Sequence, residues 1–211
     1  MNAVSPLASR RHDSASERWS RMPVIRTGDD YISSLKGRGT RLFLFGELID
    51  EPADHPMIRP SINALRATYD LAIDDPELAT AHSPLIDAPV NRFLHMPESP
   101  QDLVMKNRMQ RRLGQLTGTC FQRCTGLDTL SVLHSITWDI DEKHGTGYHQ
   151  RYLAFLKEAQ RRNVLIAAGM TDPKGDRSKR PFEQSDQDMF LHVSGRNDDG
   201  IFVRGVKAHM T

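Results

Sequence analysis

Only two cysteines, Cys120 and Cys124, occur among the 211 residues. A disulfide-stapled scaffold is therefore excluded, and a reducing, cytoplasmic setting is the default. No apolar run approaches the roughly 20 residues that cross a bilayer, so no membrane partner is expected. Charge of one sign is also missing: 28 Lys and Arg stand against 27 Asp and Glu, a formal net charge of +1. That balance gives no basic field of the kind that holds a nucleic-acid backbone or an anionic membrane surface. Neither a Walker nor a dinucleotide glycine pattern is present. What remains is a soluble chain long enough for one or two domains with a real core.

Residues 1–28 are rich in Ser and Arg without a sustained apolar period, and read as a disordered extension or an over-long start. Asp13 and Glu17 argue against an organelle transit peptide. Folded structure is expected from Asp29-Asp30-Tyr31, whose acidic residues suit the start of a short helix through Ile32 and Leu35. Residues 41–47 form a short apolar run closed by Gly46, either strand or buried helix. Pro56 and Pro60 fix a turn, and Ser61 is the expected cap of a helix from Ile62 to Asp74-Asp75-Pro76. A loop rich in Pro and His runs to Pro100. Gln101 then opens a long helical stretch reaching Trp138 and Ile140, broken at Asp141-Glu142-Lys143-His144-Gly145. A further helix is expected over Tyr148–Arg162.

Both cysteines fall inside that long stretch. Apolar positions at Met109, Leu113, Leu116, Cys120, Cys124, Leu127 and Leu130 step by three and four, the period of a helix. On one continuous helix, positions i and i+4 share a face, so both sulfurs would project from the same side. Free cysteine also serves as a small buried hydrophobe. A disulfide within one helix lacks the geometry, and structural zinc would need a second ligand pair that the sequence does not have. Two thiols so placed are either small hydrophobes of the core face or half of a ligand set whose remainder must come from elsewhere.

After residue 162 the character changes from helical to β. Residues 164–170, 189–193 and 201–206 read as three strands, the last two joined by the turn Arg196-Asn197-Asp198-Asp199-Gly200. The chain stops at Thr211 directly after the third, and an unpaired edge there leads us to expect that further residues or a partner complete the domain. Between the first two strands lies Gly169-Met170-Thr171-Asp172-Pro173-Lys174-Gly175-Asp176-Arg177-Ser178-Lys179-Arg180-Pro181. Its hydroxyls, cations and backbone N–H groups suit a phosphate-bearing ligand or an ordinary basic surface loop.

Four separated segments, in order, resemble the 4-hydroxybutyryl-CoA dehydratase family. They are Asp54-His55-Pro56-Met57-Ile58-Arg59-Pro60-Ser61-Ile62-Asn63, Cys120-Phe121-Gln122-Arg123-Cys124, Met170-Thr171-Asp172-Pro173-Lys174-Gly175-Asp176-Arg177, and Asp199-Gly200-Ile201-Phe202-Val203-Arg204-Gly205-Val206-Lys207-Ala208-His209. The resemblance covers residues 29–211, the amino-terminal part of a longer enzyme. It implies an α+β fold like that of acyl-CoA dehydrogenases. Residues 29–162 would be the helical domain carrying the cysteine pair, and 163–211 the incomplete start of a β domain.

The resemblance further implies FAD and a 4Fe–4S cluster. Cys120 and Cys124 would be two cluster ligands, with one histidine and one more cysteine supplied from outside this chain. Gln122 would face the active site, and Met170, Thr171, Asp172, Pro173, Lys174, Gly175, Asp176, Arg177, His209 and Thr211 would contact the flavin. The implied reaction is radical dehydration of 4-hydroxybutyryl-CoA to crotonyl-CoA, with vinylacetyl-CoA isomerase activity, in a cytoplasmic homotetramer. The related phenol-hydroxylating flavin monooxygenases are the alternative, and they need no cysteine pair. The 211-residue piece by itself is expected to be inactive.

Overall fold

The structure is a computed structural model that describes residues 19–198 and 200–208. These fall into two compact units, Pro23–Ala168 and, with residues 19–22, residues 169–208. Residues 1–18 and the predicted flavin contacts His209 and Thr211 lie outside the described residues. Helix and sheet are both present, in agreement with the mixed class expected. No helix among the described residues is long and apolar enough to cross a membrane.

The first unit is built on helices α1 (Gly28–Leu35), α2 (Arg59–Asp74), α3 (Pro76–Ala79), α4 (Pro100–Thr117), α5 (Cys124–His144) and α6 (Tyr148–Arg162). Two antiparallel hairpins interrupt them: β1 (Leu42–Leu44) with β2 (Glu47–Ile49), and β3 (Thr80–Ser83) with β4 (Ala88–Asn91). The apolar run at 41–47 is thus a strand and its turn, with Phe45 and Gly46 at φ 52° and 89° between the paired Leu44 and Glu47. The second hairpin lies where an irregular loop was expected. Its Pro89 and short strands hid it, while buried Val90 and Asn91 tie it to the core.

Caps set the helix starts. Thr27 caps α1 in a reciprocal box with Asp30, so the acidic pair sits inside the first turn rather than before it. Ile25 is buried and its carbonyl accepts from the Asn163 amide, so the segment read as an extension to residue 28 contributes to the core from Ile25 onward. Helix α2 begins at Arg59, ahead of Ser61, because Pro60 with its fixed φ fits the first turn. Ser99 and Asp102 form the box that opens α4.

The core has three centres. Leu71, Ala79, Phe93, Met109, Leu113, Phe121 and Leu127 join α2 to α5; Ile25, Tyr31, Ile62, Leu65 and Tyr69 join α1 to α2; Leu94, Leu130, Tyr152 and Leu156 join α5 to α6. Residues 164–168 do not form the expected strand. They run extended against the helices: Val164 is buried, and the carbonyl of Ile166 lies where a side chain at Gly126 would be. The first compact unit extends to Ala168.

Between α5 and α6, the His134 and His149 rings meet edge to face at 5.0 Å, beside Trp138 and Tyr152. Burial first, and the neighbouring His149 second, hold His134 below its ordinary value of 6.5. The neutral ring is therefore favoured in the folded state. Its contribution is complete above pH 6.5 and is lost as the pH falls from there through the folded value, because the unfolded chain takes up the proton first. Thermal melts should give a lower midpoint at pH 5.5 than at pH 7.5, and His134→Gln should narrow that gap.

In the second unit, β5 (His192–Asn197) pairs antiparallel with β6 (Gly200–Arg204), joining Asn197 to Gly200 across the expected turn. A register shift at Val193–Gly195 kinks β5. Short bridges add Thr171 to Ala208 and Phe190 to Val206.

Candidate functional site

The two cysteines do not share a helix. Helix α4 ends at Thr117, Gly118 adopts the left-handed conformation with φ 62°, and α5 starts only at Cys124. Five residues, 119–123, form a turn between them. The helical period survives across the break because both helices present their apolar face to the same core cluster. Thr117 completes the ending of α4: its hydroxyl donates to the Leu113 carbonyl at 2.9 Å and lies 3.0 Å from the Thr119 carbonyl.

Side chains of the turn alternate between core and surface. Phe121 is buried and packs on Phe93 at a ring separation of 5.6 Å, and Arg123 is buried. Cys120 is exposed, while Gln122 and Cys124 are half-buried. Both thiols are free. The Gln122 N–H donates to Cys120 Sγ at 3.4 Å, and Gln122 carries a φ of 57°, a conformation a residue with a side chain seldom adopts. Cys124 Sγ lies 4.0 Å from the Thr125 hydroxyl. Cys124 is the first residue of α5, whose start no side chain caps.

The turn and its junction with α5 thus carry two free thiols, one of them receiving a backbone N–H of the kind that tunes thiolates where a cluster is held. Among the described residues no group of three or more His, Cys, Asp or Glu is placed to hold a metal ion. The donor chemistry present, two free thiols, is of the kind that suits a soft metal or cluster.

The predicted flavin loop lies wholly in the second unit. Its start is pinned to the chain end: the Ala208 N–H donates to the Thr171 carbonyl at 2.9 Å, the Thr171 hydroxyl donates to the Ala208 carbonyl, and Lys207 Nζ reaches Asp172 at 2.6 Å. Its far side is held by Gln184, a buried residue that sequence reading missed. The Gln184 amide accepts from the Asp176 N–H at 3.0 Å and donates to the Asp176 carbonyl at 2.8 Å. Asp176 accepts from the Ser178 N–H and hydroxyl, and those bonds hold its carboxyl below the usual range. Gly175 packs closely here: a Cβ would fall 2.8 Å from both Gln184 Oε1 and Met189 Sδ, so those side-chain ends would have to shift. The result is a cavity of about 250 Å³ lined by Asp172, Lys174, Asp176, Arg177, Gln184 and Phe190 among others, with Lys174 and Arg177 exposed on it.

Comparison with known proteins bears on both halves. The family profile described as "4-hydroxyphenylacetate 3-hydroxylase N terminal" matches residues 27–211. A 4-hydroxybutyryl-CoA dehydratase/vinylacetyl-CoA-Δ-isomerase from Clostridium aminobutyricum is 46% identical over 190 residues, 89% of this chain and 39% of the relative. A solved archaeal 4-hydroxybutyryl-CoA dehydratase from N. maritimus, described as oxygen tolerant, superposes with a TM-score of 0.83 at 58% identity, over 88% of this chain and 37% of that one. The oxygenase component of 4-hydroxyphenylacetate 3-monooxygenase, solved with FAD, matches in fold with a TM-score of 0.69 at 21% identity, covering 87% and 38%. The chain thus spans about two fifths of the length of the relatives it matches.

Proposed function

The chain belongs to the family described as 4-hydroxyphenylacetate 3-hydroxylase N terminal, and from that premise we propose that it is the amino-terminal part of a 4-hydroxybutyryl-CoA dehydratase with vinylacetyl-CoA isomerase activity. The observation that carries this choice within the family is the pair of free thiols on the 119–123 turn and its junction with α5. A phenol-hydroxylating oxygenase has no use for such a pair. Identities of 46% and 58% with dehydratases, against 21% and 23% with oxygenase components, support the same choice.

On this reading Cys120 and Cys124 ligate two corners of a 4Fe–4S cluster, and Gln122 faces the substrate between them. Residues 170–177, with His209 and Thr211, border FAD. When bound, the flavin and cluster supply the radical and Lewis-acid chemistry that removes the hydroxyl. The chain's own residues do the holding. Phe121 anchors the turn from below, the Gln122 N–H steadies one sulfur, and Gln184 keeps the loop open so that Lys174 and Arg177 are available to phosphate oxygens. The acyl-CoA substrate, the homotetramer and the cytoplasmic setting belong to the same proposal.

The test is an anaerobic assay of the full-length polypeptide with iron and FAD. Conversion of 4-hydroxybutyryl-CoA to crotonyl-CoA is the expected result. Hydroxylation of 4-hydroxyphenylacetate by the same preparation, with reduced flavin and oxygen and without dehydration, would overturn it.

A further inference from the structure

Arg123 sits between the two cysteines in sequence and is buried, whereas Cys120 is exposed. The arginine is 2% exposed. Its guanidinium carbon lies 4.5 Å from the centre of the Tyr69 ring and 4.9 Å from that of Phe93. Nη1 donates to the Thr68 hydroxyl at 3.0 Å, and Nη2 approaches the Val164 carbonyl at 3.5 Å. No carboxylate pairs with it among the described residues; the groups acting on its charge are the phenols of Tyr69 and Tyr31. Burial pushes both phenols up, Tyr31 to about 12, so both stay neutral. The Tyr69 hydroxyl is itself buried without a partner, so what Tyr69 offers is its face.

A buried cation with no counter-ion is costly, and a hydrophobic residue of similar size is commonly at least as stable. What the arginine adds is direction. A planar fork between two rings, with fixed acceptors in α2 and in the 164–168 segment, holds one orientation where an aliphatic side chain would hold several. Backbone atoms of Arg123 connect Gln122 to Cys124, so that orientation passes directly to both neighbours. With Phe121 locked on Phe93 and Arg123 held beside it, the exposed Cys120, the half-buried Gln122 and Cys124 at the edge of the same core cluster are left little freedom.

We infer that Arg123 is the positioning residue of the thiol turn, fixing the separation and facing of Cys120 and Cys124. The inference rests on the reading of those thiols as cluster ligands. It predicts that the pair is preorganised before any metal arrives.

The test uses full-length apoprotein, reduced and anaerobic, treated with dibromobimane, which becomes fluorescent only when both of its arms alkylate thiols. The fluorescence lost in Cys120→Ser reports the pair. Arg123→Lys keeps a charge but not the planar fork, and should lower that signal about 10-fold, the size typical of outer-sphere supports. Thr68→Val deletes the hydroxyl opposite Nη1 and should lower it in the same direction. Circular dichroism and melting of each variant are read alongside. A lower melting point with wild-type cross-linking would mean a purely structural arginine and overturn the inference. If Arg123→Lys does not fold, wild-type cross-linking in Thr68→Val would overturn it equally. Iron content separates the two readings: if Cys120→Ser and Cys124→Ser retain full iron while Arg123→Lys loses cross-linking, the ligand assignment fails and the positioning role stands.

Discussion

Cys124→Ser in the full-length polypeptide should lose the brown iron–sulfur chromophore and lower dehydration on the order of 10³-fold, a barrier increase of about 4 kcal/mol. Serine keeps the size of the side chain but replaces a soft thiolate donor with a hydroxyl that stays protonated, so one corner of the cluster goes unheld. The fold should be spared, because Cys124 is half-buried at the edge of its core cluster and the change is nearly isosteric. Cys120→Ser should act alike on iron and still less on stability, since Cys120 is exposed. Iron analysis, visible absorption and thermal melting of the same preparations check all three points. Full iron in both variants would remove the cluster-ligand reading altogether.

Gly126→Ala should be the most damaging single methyl in the helical unit. An ideal Cβ at Gly126 falls 1.9 Å from the carbonyl oxygen of Ile166 and 2.7 Å from its carbon. Both are backbone atoms, so no side chain can swing aside; either α5 or the 164–168 segment must move. Overpacking of this kind costs about 3 kcal/mol, which for a chain of this size lowers the melting midpoint by roughly 6–12 °C. Gly114, in α4, provides the control, because nothing lies within 4 Å of its added Cβ. Gly114→Ala should be stabilising by about 0.5–1 kcal/mol, since alanine loses less backbone freedom in a helix. Equal melting points for the two variants would contradict the close packing of α5 on the 164–168 segment. Because Gly126 is two residues from Cys124, a retained fold with reduced iron would place the displacement at the cysteine end.

These results depend on features that the sequence revealed unevenly. Helix α6 was legible to the residue, since Tyr152, Leu156 and Ala159 repeat on one face and Asn163 ends it in a left-handed conformation. The end of α5 was read about one turn early: the break expected over residues 141–145 falls at Gly145, and residues 141–144 are still helical. The break between α4 and α5 was not read, although its signal stood in the sequence: Gly118 follows directly on Thr117, one residue past the periodic Leu116. The apolar period ran on through the gap because Phe121 and Cys124 continue to serve the same core. Period reports which way side chains face, and a turn can face them inward as well as a helix.

Residues 164–170 failed for a related reason. Their apolar content is that of a buried strand, but residues 164–168 pack against helices and no ladder forms before Thr171. In the candidate site, the thiols and the 170–177 loop were readable by residue type. Their supports were not, because Arg123, Thr68 and Gln184 owe their roles to contacts across 55, 41 and 8 positions of sequence. Residue type alone does not tell a buried guanidinium from a solvated one until its surroundings are seen.

Helix α5 carries Cys124 at one end and Asp141 seventeen residues later, about 25 Å along the axis. There one Asp141 oxygen accepts from the Thr146 hydroxyl at 2.5 Å and the Tyr148 N–H at 2.8 Å, and the other accepts from the His149 N–H at 2.8 Å. Those three bonds act as an axial stop. A rigid rod cannot slide at one end alone, so the clasp that joins α5 to α6 also sets how far the first turn advances toward the surface. The depth of the Cys124 sulfur is in this sense gauged from the opposite end of the helix.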